Sequence, residues 1–91
     1  MQGRFDWIHW TPPRVAHIAR HGVTPDEVDE VLFDEGSTLR RSRSSRYRLY
    51  GRTGAGRRVL VVLDDEGERV AAVVTARDVT DTERRTYFAR D

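Results

Sequence analysis

Ninety-one residues make one domain, 1–91, with room for a single modest core, and the absence of cysteine rules out disulfides and thiolate metal sites. An apolar share of 37% beside a charged share of 34% fits a soluble globular chain, and no apolar run approaches the roughly eighteen residues of a membrane span. The net charge of +1 says nothing about partners by itself, and the N-terminal stretch lacks the apolar core of a signal peptide, so the expected location is cytoplasmic.

The chain opens on Phe5-Asp6-Trp7-Ile8, aromatic enough for either a short strand or a tucked-in arm. Thr11 to Gly22 reads as a helix: Thr11 suits the N-cap, Pro12 the first turn and Gly22 the position past the end. Val15, Ile18 and Ala19 would share its buried face. A second helix follows, with Thr24 and Glu27 as a capping box, Pro25 at its first position and Val28, Val31 and Leu32 as its apolar stripe. Gly36 ends it. The stretch STLRRSRSS is either a weak edge strand or a loop.

Alternation is clearer in RYRLYGR, where Arg46, Arg48, Tyr50 and Arg52 would lie on one face and Tyr47 and Leu49 on the other. TGAG is a turn, RRVLVVLD a buried strand that Arg57 and Arg58 merely enter, and DEG a second turn. In ERVAAVVTAR, unbroken alternation puts Arg69, Ala71, Val73, Thr75 and Arg77 on one face. The last segment is a short helix with Thr80 and Glu83 as a second capping box. The expected architecture is α+β: two N-terminal helices, an antiparallel sheet of three to four strands and a short C-terminal helix. The helices would gather on one side of the sheet and leave an arginine-bearing face open.

The charges are segregated. Thr24 to Glu35 holds six acids and no base, which helix capping and the helix dipole largely explain. Gly36 to Leu63 holds eight arginines and no acid. An ordinary solvated face mixes signs, so a block without interleaved acids points to a polyanion. Arginines alternating with tyrosines offer both phosphate contacts and a stacking surface, as single-stranded RNA requires. Arg41, Arg43, Arg48 and Arg52 are therefore candidate RNA-binding residues. GRTGAGRR is not a phosphate loop, because its glycines precede a strand and no Lys-Ser/Thr pair follows. His17 and His21 stand at helical spacing but without the glutamate of a zinc helix, so no metal or other cofactor is expected. His21, at a helix end, could move protons near neutral pH. Arg77 reads either as a phosphate clamp or as the partner of Asp78 or Glu83. Tyr87 reads either as a packing aromatic or as a base platform.

Three stretches together resemble the BrnT-type toxins. They are W-x-x-x-R-x-x-x-I-A-R-H-G-V from Trp10 to Val23, R-Y-R-L-Y-G from Arg46 to Gly51, and V-T-A-R…T-x-x-E-R-R-x-Y from Val74 to Tyr87. Where the family usually has an acid, Lys and Asn in the first stretch, this chain has Thr11, Arg14 and His17, while Arg46, Gly51 and Arg77 match family positions. The resemblance implies a RelE-like fold and a metal-independent endoribonuclease of a bacterial type II toxin–antitoxin pair. In that chemistry the ribose 2′-OH attacks the adjacent phosphate. Arg46 and Arg77 would then be clamps, His21 and Glu83 the proton movers, and Tyr87 a group that stacks on a base or orients the phosphate. The partners implied are RNA and a DNA-binding, BrnA-type antitoxin that masks the toxin, with no membrane involved. The competing reading is a non-catalytic module of the same fold that binds RNA or a partner through the arginine face.

Overall fold

The structure, a computed structural model, describes residues 2–89. In chain order the elements are β1 (Trp7–Ile8), α1 (Pro12–Ala19), α2 (Pro25–Leu32), β2 (Thr38–Arg41), β3 (Arg46–Arg52), β4 (Arg58–Gly67), β5 (Val70–Asp78) and α3 (Asp81–Tyr87). The strands form one sheet in the order β1-β5-β4-β3-β2. Strands β2 to β5 pair antiparallel, as expected from their short turns, and STLRRSRSS resolves into the edge strand β2. The sheet has one strand more than expected, because Trp7–Ile8 joins β5 in parallel. Two residues are too few for alternation to reveal a strand. The arm that carries them is anchored by buried Gln2, whose Nε2 donates to the carbonyls of Phe5 (2.8 Å) and Leu32 (3.1 Å).

Local signals account for the helices. Both capping boxes form, at Thr24–Glu27 and at Thr80–Glu83. Thr11 occupies the N-cap of α1 but makes no side-chain cap bond, so that helix starts on its prolines. Its far end closes when Gly22, at φ 69°, lets the Val23 N–H reach the Ile18 carbonyl (3.2 Å) and the Gly22 N–H reach the Ala19 carbonyl (3.0 Å).

The helices do not all lie on one side. Ile18 of α1 and Val28, Val31 and Leu32 of α2 pack with Leu49, Val59, Val61, Leu63, Ala71, Val73 and Ala76 on one face. On the other face α3 brings Tyr87 and Phe88 onto Tyr50, Leu60 and Val62. The sequence conceals this second core because its helix supplies two adjacent aromatics rather than a stripe. Burying a side chain such as Phe88 contributes about 1.5–3 kcal/mol, enough to seat a seven-residue helix that could not stand alone.

Strand β5 also departs from strict alternation. Val62 pairs with Thr75 but Leu63 pairs with Val73, so Val74 is an extra residue, a β-bulge. Ala71, Val73 and Ala76 therefore face α1 and α2, while Thr75 and Arg77 turn to the α3 side. Arg77 keeps only Thr75 of its expected small neighbours. Arg14 of α1 marks the bulge, its Nη1 donating to the Val73 carbonyl at 2.8 Å.

Candidate nucleic-acid interface

The face that carries α3 is organised by register. Thr38, Tyr50, Leu60 and Arg77 form one row across β2, β3, β4 and β5. Arg40, Arg48, Val62 and Thr75 form the next row, about 7 Å along the strands. Arg46 lies one step further, opposite Asp64.

At the α3 end of the first row five residues converge. The Arg77 guanidinium donates through Nη1 to Glu83 Oε1 (2.8 Å) and through Nη2 to Oε2 (3.1 Å). Glu83 is held there by its own capping box, and its side chain is only 15% exposed. The paired guanidinium and the Thr80 N–H hold its carboxyl below the ordinary glutamate range, so it is ionised at neutral pH. The rings of Tyr50 and Tyr87 stack with centroids 3.7 Å apart and planes within 11°. Burial pushes the Tyr50 phenol up, although Arg48 acts on its hydroxyl as a hydrogen-bond donor. This leaves Tyr50 protonated, a neutral donor between two cations and a carboxylate.

The other candidates fall in different places. Arg46 is bound in a fork to Asp64, at 2.9 and 3.2 Å, at the far end of β3. Arg52 lies over the Phe88 ring, 5.7 Å from its centroid. Arg43 sits exposed in the β2–β3 turn. Arg41 is in register with Tyr47, which puts it on the α1–α2 side, and its Nε donates to the Ser44 carbonyl at 3.0 Å. Sequence reasoning missed Arg40, which stands on this face in the same row as Arg48. The side chain of Arg40 could be placed only once the β2–β3 register was known. His21 is also set apart: its ring meets His17 edge-on at 5.8 Å on the α1 side, across the sheet from Tyr87.

Arg57, expected merely to enter a strand, ties the two sides together. It donates to the Gly22 carbonyl (2.7 Å), to the His21 carbonyl (3.3 Å), to Glu27 (3.3 Å) and to Asp78 (2.6 Å). Among the described residues no three His, Asp or Glu side chains gather in a group that could hold a metal ion. No helix among them is long and apolar enough to cross a membrane. At the opposite edge of the sheet Trp7 (70% exposed) and Phe33 (49% exposed) line a shallow apolar groove with Ile8 and Trp10. Asp29 borders it, its carboxyl pushed up by burial and by the neighbouring Asp26.

No protein-family model and no curated protein matches this sequence. A solved structure does: the crystal structure of the Brucella abortus ribonuclease toxin BrnT aligns with a TM-score of 0.65 at 20% identity, covering 82% of this chain and 97% of that one. This chain has the BrnT fold. Coverage of nearly the whole BrnT chain means that the similarity spans the sheet and its helices rather than one supersecondary unit.

Proposed function

We propose that the protein is an endoribonuclease, the toxin of a bacterial type II toxin–antitoxin pair, and that it cuts RNA without a metal ion. The observation that carries this reading is the convergence of Arg48, Tyr50, Arg77, Glu83 and Tyr87 on one sheet face of a BrnT fold. The 2′-oxygen attacks the neighbouring phosphorus, its proton passes to a base, and the bond from phosphorus to the 5′-oxygen breaks. Cyclic phosphate and a 5′-hydroxyl result. Arg77 and Arg48 bear on the charge of the pentacoordinate phosphate, where fixed cations lower the barrier most. Glu83, ionised and bound to Arg77, holds that fork in place and is the carboxylate of this group that takes the 2′ proton. The Tyr87 hydroxyl beside Tyr50 protonates the leaving oxygen. His21 and Arg46 stand outside this group, and no part in the step is proposed for them. The antitoxin would cover the arginine face, and the Trp7–Phe33 groove offers it apolar ground.

The test is RNA integrity after incubation in EDTA with the purified protein and with Arg77→Ala, each checked by thermal melting. Wild type should cut and the folded variant should not. Induction alone should also arrest growth, with rescue by the product of the adjacent gene. Intact RNA and normal growth would overturn the proposal. A second reading, binding without cutting, draws support from how many arginines already meet a carboxylate, Arg46 at Asp64 and Arg77 at Glu83. It predicts intact RNA together with affinity that falls steeply with salt.

A further inference from the structure

The β2–β3 register sets Arg40 directly opposite Arg48. Residues so placed have Cβ atoms about 4.5–5.5 Å apart, and like charges there oppose folding. Both side chains are exposed and both lie on the α3 side of the sheet. Among the described residues no carboxylate pairs with them. The sequence has no acid between Gly36 and Leu63, and the acids that do reach this face are committed elsewhere. Asp64 is forked to Arg46, and Glu83 is forked to Arg77. The side-chain partner of Arg48 is the neutral Tyr50 hydroxyl. Arg4, Arg46, Arg57, Arg69 and Arg77 each sit against an acid, whereas Arg40 and Arg48 sit against each other.

We propose that Arg40 and Arg48 form a phosphate-binding pair that seats a phosphodiester of single-stranded RNA. The assignment rests on the reading of this face as an RNA surface. Two planar forks side by side can grip the two free oxygens of one phosphate, which removes the repulsion that the empty pair carries. The pair lies one row from Tyr50 and so places the anion beside the tyrosine stack. Arg40 also occupies the edge strand β2, where charge can serve only to deter pairing with another sheet. That role would need no second arginine opposite the first and would give no affinity for phosphate.

The experiment uses Arg40→Thr, a substitution that suits a strand, and Arg20→Thr as a control on an exposed arginine of the α1 side. The probe is a labelled oligonucleotide with 2′-O-methyl riboses, which keeps every phosphate and cannot be cut. Anisotropy titrations across a salt series should show Arg40→Thr binding more weakly, with a salt slope shallower by about 0.7 for the lost contact. In chloride at low ionic strength Arg40→Thr should also melt above wild type, and the gap should close as salt rises. Unchanged affinity and slope in Arg40→Thr, or an equal loss in Arg20→Thr, would overturn the assignment. So would polyglutamate binding at the pair with no binding of the oligonucleotide. Wild type that binds through Arg40 yet never cuts RNA sinks the ribonuclease reading and keeps this one. Wild type that cuts RNA with Arg40→Thr indifferent in both binding and cutting does the reverse.

Discussion

Arg77 and Glu83 meet in two parallel hydrogen bonds, 2.8 and 3.1 Å long, and this fork joins the end of β5 to α3. The Glu83 carboxyl is held low first by Arg77 and then by its cap. A carboxyl whose pKa drops on folding contributes stability that is complete above its unfolded value of about 4.3 and lost as pH falls through the lower folded value. Arg77 is 37% exposed, so solvent screening keeps the pair to about 0.5–1 kcal/mol. Glu83→Gln retains the capping box and removes the charge. It should melt below wild type at pH 7, and the two curves should converge near pH 3. Melts that stay equally separated at both pH values would show that the charge contributes nothing.

Tyr87 has two separable roles, a ring stacked on Tyr50 and a hydroxyl beside the Tyr50 hydroxyl. Tyr87→Phe keeps the ring and should leave the melting temperature unchanged. Tyr87→Ala should cost about 1 kcal/mol beyond the lost burial. If the hydroxyl protonates the leaving oxygen, Tyr87→Phe should slow RNA cleavage by about a hundredfold. Cleavage at the wild-type rate would make Tyr87 a packing residue alone.

Gly51 lets α2 sit close on β3. A Cβ there would stand 3.0 Å from Val31 Cγ1, 3.2 Å from Asp34 Oδ2 and 3.2 Å from Ser37 Cβ. Gly51→Ala should therefore destabilise the fold by about 1–3 kcal/mol in urea titration. A loss under about 0.5 kcal/mol would mean that α2 slides outward freely, as surface substitutions do.

Arg57 holds the α1–α2 junction to the end of β5 through two backbone carbonyls and two carboxylates. Arg57→Met keeps the stem and loses every one of those bonds, for about 2 kcal/mol. Arg57→Lys should recover little of it, because one ammonium cannot span the same set. Full recovery by lysine, read from the same denaturation curves, would reduce the residue to a point charge.

Much of this fold was readable from local chemistry. The capping boxes at Thr24 and Thr80, Gly22 past the end of α1 and the alternation of β3 all stand where side-chain physics puts them. What escaped depends on pairing between distant segments. The side that Arg40 or Arg41 occupies is fixed by β3 rather than by β2, and Val74 becomes an extra residue only against Leu63 and Val62. The same limit applies to the candidate site. Arg77 and Glu83 were both visible as candidates, and the structure pairs them with each other. His21 was grouped with them by chemistry alone, but chain topology puts the thickness of the sheet between them.

The extra residue Val74 gives one strand two allegiances. Before it Ala71 and Val73 face the helical core, and after it the core position falls to Ala76 while Thr75 and Arg77 face the other way, so a substitution at one position leaves the facing of the others intact. A change of length cannot be absorbed in the same way. Removing Val74 would restore plain alternation and send Arg77 under α1, while Ala76 would surface in its place. Descendants of this sequence are thus bound to the residue count of β5 as well as to its buried positions, and a one-residue deletion is the change most capable of silencing the arginine face while leaving every arginine in the sequence.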